Sequence, residues 1–196
     1  GAASYLADQP DVSVWRTSAS YKRARFGVDW LNWLQFKYAH DHWALVVDPD
    51  EFLVYPFCDT RSLRALTDWL DASSIKSFSA MLLDMYPKGS LSEATFETDP
   101  FAEAGYVDRE PFLTNWTGRG PFSNMPTWTS ALRHRLIAGS RTDLFVAQKI
   151  ALLKYQPWMR VSAGLHFLTD VQLSSRELLF AHFKYNADFR RKAQAE

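Results

Sequence analysis

The chain has 196 residues, 47% hydrophobic and 22% charged, enough apolar content for one folded domain and too much for a disordered chain. Lys plus Arg and Asp plus Glu number 22 each, so the basic excess expected of a nucleic-acid platform is missing. No apolar run approaches the roughly 18–20 residues that span a bilayer. No secretory leader is visible, and the first residue is Gly1 rather than Met, which reads as a processed or partial chain. Cys58 is the single cysteine, which excludes an intrachain disulfide and fits a reducing compartment. Its simplest reading is a buried small residue. The expected location is cytoplasmic, with any membrane association peripheral. Aromatic content is high, with eight Trp, which suits a core, a sugar-binding surface or a partner interface.

In chain order, Val12–Trp15 is a short β-like piece, followed by a small, basic stretch from Ser18 to Phe26. From Gly27 the pattern turns helical, with Trp30, Trp33, Leu34 and Tyr38 on one predicted face. Trp43–Val47 is aromatic and β-branched, and its length predicts a buried strand. Pro49 lacks a backbone donor, so the strand should stop there and leave Asp48 and Asp50 at its C-terminal end. Asp59-Thr60-Arg61 offers an N-cap for a helix with Leu63, Leu66 and Leu70 on its apolar face. Ser77–Met85 reads as a strand with Asp84 near its end. Residues 90–129 read as a long substrate-side loop with room for a short helix. Leu132–Ile137 alternates apolar and basic residues and predicts a strand, with Arg133 and Arg135 on one face. Phe145–Tyr155 carries Lys149 among apolar neighbours. Val161–Leu168 and Leu178–Tyr185 are strand-like and carry His166 and His182. Asn186–Glu196 predicts a short helix anchored by Phe189. Alternating elements in the first half and strands in the second make residues 1–196 a single α/β domain with a mixed sheet flanked by helices.

Asp48-Pro49-Asp50 carries the strongest chemical signal. Two carboxylates at the carboxyl end of a strand suit a hard divalent cation, and ligands in open α/β sheets gather at that end. The bland reading is a turn whose Asp side chains cap backbone donors. Glu51 is read three ways: orienting a metal ligand, acting as a base, or lying solvated in the turn. His166 and His182 are core or surface histidines unless the cation needs an imidazole. Lys184 lies two positions after His182, so on a strand it shares that face and suits a phosphate. Arg133, Arg135 and Lys149 are further phosphate candidates, and Lys149 in its apolar run needs a partner or a path to solvent.

The segment Trp43-Ala44-Leu45-Val46-Val47-Asp48-Pro49-Asp50-Glu51-Phe52-Leu53 resembles the Asp-x-Asp-Glu-Phe-Leu segment of glycosyltransferase family 2-like proteins with the GT-A fold. Leu83-Asp84-Met85-Tyr86-Pro87, Gln148-Lys149-Ile150-Ala151-Leu152, Gly164-Leu165-His166 and Ala181-His182-Phe183-Lys184-Tyr185 resemble later segments of the same group, in the same order. The resemblance runs from about Tyr5 to Phe189. It implies a metal-dependent, inverting glycosyltransferase that uses Mn²⁺ or Mg²⁺, a nucleotide-sugar donor and a glycan or polysaccharide acceptor. Asp48, Asp50 and His182 or His166 would serve the metal. Arg133, Arg135, Lys149 and Lys184 would serve the diphosphate. Asp84 is the expected catalytic base, with Glu51 and Asp108 as rivals. Two departures stand out. The Asn-Glu turn and Asp-x-x-Ser-x-Asp segment that grip uracil and ribose in relatives are not found, so the chain is expected to begin near the third strand of an N-terminally truncated domain. Thr129-Ser130-Ala131-Leu132-Arg133-His134-Arg135 also keeps the arginines of a Gly-Gly-x-Arg-x-Arg stretch without its glycines. The other readings are a non-catalytic carbohydrate-binding or scaffold domain on the same fold, and a metal-dependent phosphotransferase or hydrolase.

Overall fold

Two runs of nearly continuous buried side chains, Ser77–Asp84 and Gln148–Lys154, pair antiparallel at the heart of a five-stranded sheet. Strands covered on both faces lose the polar-apolar alternation of half-exposed ones, and both runs read that way. The computed structural model describes residues 2–96, 98–117, 126–136, 146–162, 166–169 and 178–195. Within them the elements are α1 (Ala2–Ala7), α2 (Val28–Tyr38), β1 (Trp43–Leu45), β2 (Glu51–Val54), α3 (Leu63–Ala72), β3 (Ser77–Asp84) and α4 (Pro100–Glu103). They continue as β4 (Phe112–Thr117), β5 (Pro126–Ser130), α5 (Ala131–Leu136), β6 (Gln148–Lys154), β7 (Val161–Ser162), β8 (Phe167–Leu168), β9 (Leu178–His182) and α6 (Ala187–Ala195).

The sheet order is β1-β6-β3-β9-β2. β3 and β9 are parallel, with Asp84 opposite His182, while every other pair in this sheet is antiparallel. β1, β3 and β9 therefore end at the same edge of the sheet, where β6 and β2 begin. β1 and β2 are the two outermost strands, yet only Val46–Asp50 joins them. Four strand gaps of about 4.8 Å span roughly 19 Å, nearly the full reach of six extended residue steps. This connector also contains a turn closed by the Glu51 N–H on the Asp48 carbonyl at 3.0 Å. The mixed sheet must therefore curl, and the connector is drawn across the end where β3 and β9 stop.

Helices supply the two cores. Leu70 of α3 is fully buried against Phe78, Leu82, Leu152 and Phe180. The apolar stripe of α3 is as expected, but its cap is Ser62, whose Oγ accepts from the Ala65 N–H at 3.3 Å, rather than Asp59. On the other side Val28 and Leu31 of α2 pack with Ile150, Tyr155, Met159 and Val161.

Several expectations need correction. The α2 helix forms, but it buries Val28 and Gln35, while Trp33 and Tyr38 of the expected inner face are exposed. Asn32 explains the orientation: its side chain donates to the Val161 carbonyl at 2.9 Å and accepts from the Val161 N–H at 3.0 Å, fixing that face inward. Val12–Trp15 forms no strand. β1 is a half-buried edge strand of three residues, not a buried one. Of the predicted strand Leu132–Ile137, residues 132–136 are helical: residues 131–136 form α5, Ser130 Oγ caps it by accepting from the Arg133 N–H at 3.3 Å, and Ile137 lies outside the described residues. Residues 90–129 hold α4 and the paired β4 and β5. Within Val161–Leu168 the described residues include the short antiparallel strands β7 and β8, and residues 163–165 lie outside the described residues. Cys58 is exposed.

Candidate functional site

Two clusters of charged side chains sit side by side beneath the Val46–Asp50 connector. The first is built on β3, where Asp84 ends the strand with its side chain buried. Arg133 on α5 reaches it with two bonds, Nε to Oδ2 at 2.9 Å and Nη2 to Oδ1 at 2.7 Å, a geometry only the guanidinium fork provides. Ser130 Oγ also donates to Asp84 Oδ2. On the neighbouring strand, His182 Nδ1 lies 2.6 Å from Asp84 Oδ1 and donates to it. Burial works to raise the Asp84 pKa, but the bonds from His182, Arg133 and Ser130 outweigh it and hold the carboxyl at about 2. Tyr185 completes the cluster, accepting from Arg133 Nε at 3.1 Å. Burial first, then the Asp84 carboxylate, push its phenol up to about 12.

The second cluster is built on β6. Lys149 is buried with its Nζ 2.7 Å from Glu51 Oε2 and 3.1 Å from Asp48 Oδ2. Glu51 Oε2 also accepts from the Asp48 N–H at 2.8 Å, so one carboxylate both fixes the turn and neutralises the ammonium. Of the three readings of Glu51, the solvated turn residue is excluded: its side chain is only 2% exposed. His166 stands beside this cluster and bonds the Gln148 carbonyl through Nδ1. Burial lowers its pKa, the Gln148 carbonyl opposes that, and Lys149 and Arg133 add to the lowering, which keeps the ring neutral near pH 7.

Asp50 joins the clusters. Its backbone carbonyl accepts from the Phe183 N–H at 2.9 Å, and its Oδ2 lies 3.6 Å from His182 Nε2. With Nδ1–H given to Asp84, the neutral tautomer presents a lone pair on Nε2 toward Asp50. A carboxylate that fixes a histidine through one nitrogen and leaves the other for a cation is a recurrent arrangement at metal centres. Two ligand atoms about 2.1 Å from one ion at ordinary angles stand roughly 3.0–3.4 Å apart, so Asp50 and His182 fit as a pair of donors with slight adjustment. Among the described residues, no group of three or more His, Cys, Asp or Glu is placed to hold a metal ion. Asp48 is turned to Lys149 instead, and His166 to Gln148. Four carboxylates, Asp48, Asp50, Glu51 and Asp84, share this end of the sheet with two fixed cations, Lys149 and Arg133, so carboxylates are in excess.

Two predicted phosphate ligands lie elsewhere. On a helix, residues two apart diverge, so Arg135 leaves Arg133 and forms a two-bond pair with Asp108 at 2.7 and 3.0 Å. Asp108 also accepts from the Tyr86 hydroxyl at 2.9 Å. Lys184 lies beyond the end of β9, is exposed, and sits 5.9 Å from the Phe189 ring. Ser130 and Tyr185 are site residues that the sequence did not single out. Both lie within segments that it did, and neither residue type announces a role without the fold. No family model, no curated protein and no solved structure matches the chain. No described helix is long and apolar enough to cross a membrane.

Proposed function

We propose that the chain is a GT-A-type, metal-dependent glycosyltransferase domain that moves a sugar from a nucleotide-diphosphate donor to a glycan hydroxyl, in a cytoplasmic setting. One observation carries this reading: Asp50, Asp84, Arg133, Lys149 and His182, scattered over most of the sequence, converge on one end of the sheet around a net negative centre. Asp50 and His182 would hold Mn²⁺ or Mg²⁺, which supplies electrostatic stabilisation to a departing diphosphate. Asp84 is best assigned as a positioning residue. A carboxyl held at about 2 is a weak proton acceptor near neutral pH, but it fixes the His182 tautomer and the Arg133 fork. Lys149 and Arg133 line the site from β6 and α5, where a diphosphate would share them with their carboxylates.

Thermal unfolding with Mn²⁺ and UDP, GDP or pyrophosphate tests the proposal. A ligand at a hundred times its Kd adds about 2.7 kcal/mol, which for a domain of this size raises Tm by roughly 5–10 °C. The rise should need the metal and disappear in the Asp48→Ala/Asp50→Ala variant. No metal-dependent rise with any of the three ligands, or an undiminished rise in the variant, would sink the assignment. The carbohydrate-binding reading draws on a specific feature, since Arg133, Arg135 and Lys149 are each already neutralised by carboxylates. It predicts glycan binding with no nucleotide effect. A phosphotransferase or hydrolase would instead release phosphate or nucleotide without sugar transfer.

A further inference from the structure

Of the α2 face that the apolar periodicity predicts to be buried, Trp33 and Tyr38 are exposed while Trp30 and Leu34 are half-buried. Among the described residues, ten of the twenty exposed large hydrophobic ones fall within the first 38 positions. Several of them gather with neighbouring rings in two clusters, one around Trp15 and one around Tyr21. Trp33 stacks edge-on to Trp15 at 5.8 Å, Tyr38 lies 5.3 Å from Trp15, and Tyr21 bridges Trp30 and Phe26 at 6.0 and 5.8 Å. Trp15, Trp33, Tyr38 and Phe26 are each at least half exposed. Phe26 is held out by backbone geometry, with Arg25, Phe26 and Gly27 all at positive φ (50°, 57° and 84°). A non-glycine residue in that region costs on the order of 1–3 kcal/mol.

Charge identifies what this surface meets. Between Val12 and Val28 the chain carries Arg16, Lys22, Arg23 and Arg25 and no acidic residue, although its overall net charge is zero; Arg25 is paired with Asp29, which leaves Arg16, Lys22 and Arg23 as the basic rim. All four cations are exposed, and Lys37 lies among the rings at 4.8 Å from Trp33. Tryptophan and tyrosine rings with Lys and Arg around them are the side chains that settle at the interfacial layer of a bilayer. The basic residues seek anionic headgroups there. An anionic glycan would use the rings and the cations, but it has no use for the exposed aliphatic Leu6, Val12 and Val14, which suit the acyl boundary.

We infer that the N-terminal segment and the outer face of α2 form a docking surface for an anionic lipid bilayer, bound peripherally through aromatic side chains and a basic rim. This placement does not depend on the chemistry of the sheet-end site.

The test is flotation of the full chain with large unilamellar vesicles of pure phosphatidylcholine, and of phosphatidylcholine and phosphatidylserine at 3:1, in low salt. Nucleotide and metal are omitted, so the result is independent of the transferase reading. The protein should float with the phosphatidylserine vesicles and far less with the neutral ones, and brominated lipid should quench its tryptophan emission. Each basic residue near a charged surface contributes a factor of about five, so Arg16→Gln/Lys22→Gln/Arg23→Gln should weaken binding about a hundredfold. Those three side chains are exposed, and circular dichroism should show the variant folded. Phe26→Ser and Trp33→Ser should each reduce quenching on the same vesicles. No flotation with phosphatidylserine vesicles, equal binding to neutral ones, or a folded triple variant that binds undiminished would overturn the inference. So would a concentration-dependent dimer whose dissociation is driven by Trp33→Ser, which would make the face a protein interface.

Discussion

Replacing Lys149 with methionine is the sharpest probe of how the site is held. Lys149 and Glu51 have side chains only 2% exposed and meet at 2.7 Å, so each is the other's main counter-charge. Asp48, the second partner, has a side chain 66% exposed and adds little through solvent screening. Lys149→Met keeps the volume and removes the ammonium, leaving the Glu51 carboxylate buried without its cation. Breaking one side of such a pair costs about 3–5 kcal/mol. For a domain of this size that lowers Tm by roughly 6–20 °C. Urea unfolding followed by circular dichroism would show a lower midpoint at an unchanged slope. Adding Glu51→Gln to Lys149→Met removes the stranded charge and keeps an acceptor for the Asp48 N–H, so the double variant should regain at least half of the loss. A single variant within about 1 kcal/mol of the parent would refute the reasoning, because mutational losses of that size need no broken buried pair. A double variant less stable than the single one would refute it as well.

Two further predictions concern Asp84 and the α3 cap. The Asp84 pKa is depressed to about 2, so its stabilisation is complete above the unfolded-state value near 4 and is lost as pH falls through 2. Nearly two pH units of depression correspond to about 2 kcal/mol. Acid titration of unfolding free energy should fall through that window, and Asp84→Asn should flatten the fall while lowering stability at pH 7; an unchanged acid limb would count against the cluster. Ser62→Ala removes the acceptor for the Ala65 N–H and should cost about 1 kcal/mol by urea unfolding, whereas Asp59→Ala should leave stability unchanged.

What the sequence made legible follows from how local each signal is. Leu63, Leu66 and Leu70 need only helical periodicity, and the structure buries Leu70 fully. Asp84 at the end of a strand needs only a long apolar run and a polar stop. Strand order was out of reach, because β1 pairs with β6 across more than a hundred residues and β9 enters beside β3 late in the chain. The local alternation of Leu132–Ile137 predicted a strand, but a Ser130 cap and the capture of Arg133 by Asp84 fit a helix. On α2 the bulk of Trp30, Trp33 and Tyr38 outweighs Val28 and Leu31 in any apolar pattern, while the contact that orients the helix is a polar one, Asn32 on the Val161 backbone. Lys149 in an apolar run announced a need for a partner, and proximity in the fold supplies Glu51 and Asp48 together.

The connector explains why chemistry and stability are tied at this end of the sheet. Val46–Asp50 has little length to spare, so its path depends on where the sheet edges stand. It is pinned by the Val46 N–H on Ala151, the Asp48–Glu51 turn and the Asp50 carbonyl beside Phe183. Glu51 and Asp50 are adjacent in sequence, yet one serves the Lys149 pair and the other faces His182. His182 in turn leans on Asp84, which also anchors α5 through Arg133. A cation drawn to Asp50 and His182 would offset the excess negative charge that these carboxylates leave at the sheet end. The same ion would thus favour the folded arrangement of both clusters. Without it, the excess carboxylates at this end are offset only by Lys149, Arg133 and the hydrogen bond from His182. Stability measured with and without divalent cation therefore reports on the geometry of the site before any substrate is known.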